Sequence, residues 1–423
     1  MPVLTSAVSI HGTDQPTFAG FGWESCNTPG GFYNAERARL PAIKEAGITH
    51  MWLPPPSQSV SPQGYMPTQL YNLNSGYGSR VELQTLIEQI RASGIQPLAD
   101  IVINHRCADE QADGVWNIYH DDVDHRGKRL DWRQWAITRD DPCFRGQGNF
   151  DTGEDFGAAP DLDHTNPAVK EALQDWLGWL SSTIGFQGWR FDFTTGYGAG
   201  FVRDYVDSSV GADALNVAEY WVDMLWDEHG ELQPNQDPPR QKICDWINAA
   251  GARSSAFDFP TKGILQEAVK RVQYHRLADG SGGAPGVLGW WPQKAVTFVD
   301  NHDTGGSQGQ WPFPTEHVAL GYAYILTHPG TPCIFSEHLF ENGDALRNAI
   351  LSLVGVRRRN NLQADSRLRI LCAESDMYVA EVAGRVVVKL GPRLDMGPLL
   401  PRQADGWHLA TEGNDFAVWE RPA

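Results

Sequence analysis

Short apolar runs alternate with longer amphipathic stretches along most of the chain, up to about residue 360. The short runs lie at 17–23, 49–53, 96–104, 188–193, 215–221, 255–259, 295–300 and 332–335. They are largely apolar from end to end, as strands buried on both faces are. The longer stretches space their apolar residues for helices. In 81–93 these fall at Leu83, Leu86, Ile87 and Ile90, one face of a 3.6-residue period. The stretch 167–184 follows Asn166, a helix-capping residue, and starts with Pro167 at the first helical position. Helices are predicted likewise at 239–250, 262–272, 316–327 and 344–359. Eight strands separated by helices predict an α/β fold of the closed (β/α)8 TIM barrel type rather than an open doubly wound sheet. No Gly-x-Gly-x-x-Gly follows the first strand, so a dinucleotide-binding reading has no anchor.

Two regions break the alternation. Residues 105–163, rich in Asp, Gly, His and Trp, are too long for a plain connection and predict a small inserted domain after the third strand. Beyond residue 361 the chain changes to short alternating runs at 368–373, 377–382, 385–390, 406–411 and 416–420. These predict a C-terminal antiparallel β-sheet domain. The expected plan is a barrel from 1–104 and 164–361, an insertion at 105–163 and a sheet at 362–423.

Charge and composition narrow the function. The 423 residues carry a formal net charge of −18, which argues against nucleic acid as a partner and leaves a neutral substrate as the better fit. Sixteen Trp and twelve Tyr are many; a good share is expected in the core, and those left exposed suit flat, weakly polar ligands such as sugar rings. The six cysteines are scattered, with no Cys-x-x-Cys pair, and predict reduced thiols rather than a disulfide framework or a zinc site. The opening Met-Pro-Val-Leu-Thr-Ser has no signal-peptide pattern, and no apolar run reaches membrane-spanning length. The expectation is a protein that is cytoplasmic, or secreted with its leader removed, with no membrane partner.

Three of the apolar runs lead into carboxylates where parallel strands finish. They are Gly188-Trp189-Arg190-Phe191-Asp192, Leu215-Asn216-Val217-Ala218-Glu219 and Val296-Thr297-Phe298-Val299-Asp300-Asn301-His302-Asp303. Buried acids must be hydrated, paired or used, and in such barrels the strand C-termini carry the chemistry. Arg190 stands two residues before Asp192, on the same side of its strand, and is expected to keep Asp192 ionised as a nucleophile. Glu219 sits between Ala218 and Tyr220-Trp221 with no cation adjacent in sequence. That apolar setting is expected to hold it protonated as a general acid. A charged and a protonated carboxylate about 5–5.5 Å apart cleave a glycosidic bond with retention.

In order and spacing, Asp100-Ile-Val-Ile-Asn104-His105, Gly188–Asp192, Val217-Ala218-Glu219 and Phe298–Asp303 resemble the four sequence regions of the α-amylase family of glycoside hydrolases, in its plant (cereal) type. Gln63-Gly-Tyr65-Met-Pro67, Ala158–His164, Trp290-Trp291, Trp311-Pro-Phe-Pro314 and Gly321–Gly330 extend the likeness from about residue 18 to Trp419. The resemblance implies Asp192 as nucleophile, Glu219 as acid/base and Asp303 as transition-state stabiliser. It implies Tyr65, His105, Arg190 and His302 at the cleavage subsite, and Tyr220 and Trp221, next to the acid, are expected to bind substrate as well. It also implies a surface sugar site at Trp290 and Trp291, and a Ca2+ site from Asn104, Asp151, Asp161 and the Gly196 carbonyl. The implied enzyme is a monomer that cuts internal α-1,4 bonds of starch-like α-glucans. An exo-acting amylase, a transglycosylase or a non-catalytic starch binder are the alternatives. The chain departs from the cereal pattern at 113–129, where Asp121, Asp122 and Asp124 match no further calcium site. It departs again at Thr194-Thr195, where a basic residue is usual, and at Leu394, which replaces a sugar-binding tyrosine.

Overall fold

A computed structural model describes residues 15–421, so the opening residues on which the signal-peptide reading rests lie outside the described residues. Eight parallel strands form the centre: β1 (Thr17–Ala19), β2 (His50–Leu53), β3 (Gln96–Ile101), β4 (Gly188–Phe191), β5 (Asn216–Ala218), β6 (Ser255–Phe257), β7 (Ala295–Phe298) and β8 (Thr331–Phe335). They pair in chain order, and β1 closes on β8 through Thr17↔Cys333, making the predicted barrel. Several strands stop short of their apolar runs, because the runs continue into turns on the C-terminal face. After β1 the chain leaves through Gly22, where the Glu337 carboxylate fills the space a side chain would need.

Around the barrel lie α1 (Phe32–Glu45), α2 (Arg80–Ala92), α3 (Pro167–Trp179), α4 (Ala199–Ser208), α5 (Asp237–Ala249), α6 (Phe259–Arg271), α7 (Val318–Thr327) and α8 (Asp344–Arg359). Of these, α1 and α4 go beyond the predicted set. Local chemistry sets the ends. Ser79 Oγ accepts from Glu82 N (3.3 Å) while Glu82 Oε2 accepts from Ser79 N (2.7 Å), a reciprocal cap on α2. Asn166 Oδ1 accepts from Ala168 N (3.0 Å) and starts α3 where the sequence predicts. The predicted continuation of α3 to Ile184 becomes a wider turn, Leu180–Ile184, closed by Gly185 at φ 103°. Asp258 accepts from Thr261 N (3.0 Å) and starts α6 earlier than its periodicity alone suggests.

The barrel interior is filled rather than hollow. A void of about 10 Å³ is found among Phe18, Trp52, Arg190, Phe257 and their neighbours. After β3 the chain runs into the insertion, which is tied back to that strand end by Leu162 N donating to Asn104 O (2.8 Å) and by a bridge between His105 and Asp161. Within it Arg106 is buried between the rings of Tyr119 and Trp132, 4.9 Å from each centroid. Beyond α8 comes the predicted antiparallel sheet, β9 (Leu368–Ala373), β10 (Tyr378–Val382), β11 (Val386–Leu390), β12 (His408–Gly413) and β13 (Phe416–Glu420), in the order β9-β10-β11-β13-β12. Tyr378, Val388 and Val418 pack toward the main core, while Met377, Val379, Val387 and Trp407 form a second cluster, as a period of two requires. All six cysteines are free thiols. Among the described residues no helix is long and apolar enough to cross a membrane.

Candidate active site

The connections after β1, β2, β3, β4, β5 and β7 all contribute to one cleft of about 370 Å³ at the C-terminal face of the barrel. A larger cavity, about 470 Å³, lies between the loop after β2 and the insertion, but none of Asp192, Glu219 and Asp303 lines it. The smaller one holds the chemistry. Asp192 and Glu219 each stand one residue past a strand and continue its ladder. Asp192 N donates to Ile101 O (3.0 Å) and Glu219 N to Phe191 O (2.9 Å), which fixes both backbones at adjacent strand ends. Phe193 then takes a left-handed conformation (φ 42°, ψ 51°), which is costly for an aromatic residue. That turn points Phe193 N at Glu219 Oε2 (3.1 Å).

Arg190 organises the floor. Its Nη1 donates to Asp100 Oδ1 (2.9 Å) and Asp192 Oδ1 (2.6 Å), and its Nη2 lies 2.6 Å from Glu219 Oε1. This corrects the expectation that Glu219 has no cation beside it. The contact runs across from β4 to β5, where sequence neighbours give no sign of it. It also corrects the expectation that Arg190 simply holds Asp192 ionised. Burial pushes Asp192 up to about 7 and Glu219 up to about 8, against the pull of Arg190, and Asp100 rises to about 6 for the same reason. One guanidinium cannot neutralise three buried carboxylates, so the group as a whole is driven to keep a proton. Both carboxyls are raised, and the cause is burial and crowding of like charge.

Tyr65 Oη donates to Asp100 Oδ2 (2.8 Å) and lies 2.7 Å from His302 Nε2, which is also 3.1 Å from Asp303 Oδ2. The Tyr65 and His302 rings are parallel to within 2°, and Trp23 lies parallel to Tyr65 at 6.0 Å. His105 donates to Tyr65 O (2.8 Å) and stacks on Phe156 at 3.8 Å. Burial lowers both His105 and His302 to about 4, so they are neutral hydrogen-bonding groups at pH 7. Trp221 lines the cleft and stacks on Phe259. Tyr220 does not line it. One residue out of phase with Glu219, it turns to stack on Trp246 of α5 at 5.5 Å. Trp290 and Trp291 lie away from the cleft. Trp290 is 44% exposed with Arg240 3.8 Å above its ring, and Trp291 is half-buried against the core.

Beside the cleft, ligand atoms of Asp151, Asp155 and Asp161 lie within 4.8 Å of one another. Asn104 Nδ2 donates to Asp161 Oδ1 (2.8 Å), and Gly196 packs so closely on Asn104 that a side chain there would overlap Asn104 Oδ1. Asp151 Oδ2 is buried without a hydrogen-bond partner, and burial pushes Asp161 up to about 8. Among the described residues no Lys, Arg or His pairs with these three acids. Such a donor set fits a hard cation. Asp121, Asp122 and Asp124 do not join the cluster. Asp122 pairs with Arg106 (3.2 Å), and Asp124 caps the turn to Lys128.

Sequence reasoning did not single out Trp23, Phe156, Asp100, Asp155, Gln308 or Gln310. Asp100 had a readable signal, an acid inside an apolar strand; Trp23 was counted into the run 17–23, which the structure ends at Ala19, and Phe156, Asp155, Gln308 and Gln310 lie in connections without periodicity.

Comparison with known proteins agrees with this geometry. Residues 36–224 match the family described as "Alpha amylase, catalytic domain", and residues 359–420 the "Alpha-amylase C-terminal beta-sheet domain". The chain is 46% identical over 384 residues to "Probable alpha-amylase 2" of Arabidopsis thaliana, covering 90% of this chain and 89% of that one. It is 44% identical to "Alpha-amylase 3, chloroplastic" of the same plant, covering 95% of this chain but spanning only 43% of that relative's length. The crystal structure of an Anoxybacillus α-amylase shares the fold, with a TM-score of 0.65, 17% identity and coverage of 97% of this chain and 98% of that one. Three carboxylates around one arginine at the barrel mouth, matches in both domains and a plant relative nearly half identical along its length agree: the chain belongs to the α-amylase family of glycoside hydrolases.

Proposed function

We propose that the protein is an endo-acting α-amylase that hydrolyses internal α-1,4-glucosidic bonds of starch-like α-glucans with retention. The observation that supports this most is Arg190 holding Asp192 and Glu219 on adjacent nitrogens of one guanidinium. That sets the two carboxylates side by side on one cation at the cleft floor, the pairing on which a retaining double displacement is built. Asp192 attacks the anomeric carbon while Glu219, the more proton-retentive of the two, protonates the leaving oxygen. Glu219 then takes a proton from the water that resolves the glycosyl-enzyme. Asp303, with neutral His302 against it, faces the same cleft and stabilises the positive charge that develops on the ring. Tyr65 offers the sugar a flat face, and Trp23 and Trp221 form walls.

The acidic cluster fits Ca2+, held by Asn104, Asp151, Asp161 and the Gly196 carbonyl, with Asp155 added. When bound, the ion supplies charge neutralisation that ties the insertion to the ends of β3 and β4. The reading is tested by early-time products on amylose. A broad ladder of oligosaccharides supports endo attack. A single product size identifies an exo-acting enzyme, products longer than the donor a transglycosylase, and no new reducing ends a binder only.

A further inference from the structure

A fourth strand-end acid stands just past β7, and the hydrolytic steps make no use of it. Asp300 is 3% exposed and does not line the cleft. Its carboxylate gathers both ends of the connection that carries Asp303. Near the start, Thr304 Oγ1 donates to Asp300 Oδ1 (3.0 Å). At the far end, Phe313 N donates to Asp300 Oδ2 (3.2 Å). Lys262, buried at 1% on α6, completes the closure. Its Nζ donates to Asp300 Oδ1 (3.2 Å), to the Trp311 carbonyl (2.9 Å) and to Gln266 Oε1 (2.9 Å). A buried ammonium can make three bonds, and here all three acceptors are present. His338 Nε2 also approaches Asp300, at 3.7 Å, but burial keeps that imidazole neutral, which leaves Lys262 as the charge partner.

Between the clasped ends the backbone folds on itself. Asn301 Oδ1 accepts from Asp303 N (3.0 Å) and Thr304 N (2.9 Å), and Gln310 N donates to Asp303 O (3.0 Å). Asp303 and Gln310, both in the cleft, are therefore hung from one buried ion pair on the side of the loop away from substrate. We infer that Lys262 and Asp300 are positioning residues that set the place of the Asp303 carboxylate and the Gln310 side chain for the transition state. The inference rests on the role proposed for Asp303.

A cycle of Lys262→Met, Asp300→Asn and their double variant tests this, with Asp303→Asn as reference and starch kinetics and thermal melts as readouts. Each single variant leaves a buried group without its partner and lowers the melting temperature. The double variant removes both charges and recovers much of that loss. A displaced Asp303 keeps kcat low in the double variant, by about 10²-fold, with KM within about threefold of the parent, since a shift near 1 Å costs on that order. Recovery of kcat along with the melting temperature would overturn the proposal and leave the pair a stability element. So would a loss expressed in KM alone. Thr304→Val, which removes no charge but takes away both the bond Thr304 donates to Asp300 and the one it accepts from Asn301 N (3.0 Å), gives a second reading, with kcat lowered by about fivefold and the melting temperature lowered less than in either charged single variant; an unchanged kcat there would count against the clasp. Near-normal activity of Asp303→Asn would instead defeat the role given to Asp303, a result separable from the outcomes of the cycle.

Discussion

Two clusters of three acids sit at the mouth of the same barrel, and they solve the crowding of charge in opposite ways. Asp100, Asp192 and Glu219 surround a cation the chain supplies itself, Arg190, which is buried and rooted in β4. Asp151, Asp155 and Asp161 converge with no side-chain cation paired to them among the described residues. The first arrangement is self-sufficient and keeps a proton, which an acid catalyst needs. On the proposed reading the second is completed by an ion from solution, which then adds to the backbone bonds that hold the insertion to β3. A built-in arginine suits chemistry that must always be poised, and an imported ion suits a structural tie.

Breaking the first cluster gives the largest effect. Arg190→Met leaves three buried acids without a cation. It should cost about 3–5 kcal/mol in a urea melt and remove measurable starch hydrolysis. Withdrawing the ion from the second cluster comes next. A chelator in excess should lower the melting temperature by roughly 5–10 °C, with recovery on adding Ca2+, and Asp161→Asn should blunt the response. A chelator without effect on the melt would remove the imported-ion half of the comparison.

A pH series sharpens the first half. The folded value of Glu219 is raised, from an ordinary 4.5 to about 8, so the folded state binds a proton that the unfolded chain releases. The native state therefore loses stability as pH rises from about 4.5 to about 8, and Glu219→Gln escapes that loss. Relative to wild type, the variant should gain a few kcal/mol across this window, read by denaturant melts at each pH. A difference independent of pH would show that Glu219 is not proton-retentive. The smallest effect separates two adjacent aromatics. Trp221→Ala should raise KM for maltoheptaose about five- to tenfold, whereas Tyr220→Ala, which faces Trp246, should change it by less than about twofold.

The barrel and the terminal sheet were legible because their periods of 3.6 and two are local properties, and β9 to β13 fall close to the alternating runs that predict them. The acids proposed for catalysis were legible because each follows an apolar strand run. What the sequence hid was lateral. Arg190 reaches Glu219 only because β4 and β5 are neighbours, with Arg190 opposite Val217. Phe156 reaches His105 only after the insertion folds back. Tyr220 was misread through adjacency to Glu219, where strand alternation sends it to the other side. Asp155 had no periodic context to distinguish it from other loop acids.

The central claim is that Asp192 and Glu219, sharing one arginine, carry out a double displacement. The anomeric configuration of the first-formed reducing end, followed by proton NMR within the first minutes of hydrolysis, tests it most directly. Retention predicts the α-anomer first, with the β-anomer appearing only through mutarotation. A β-anomer formed first would contradict the account.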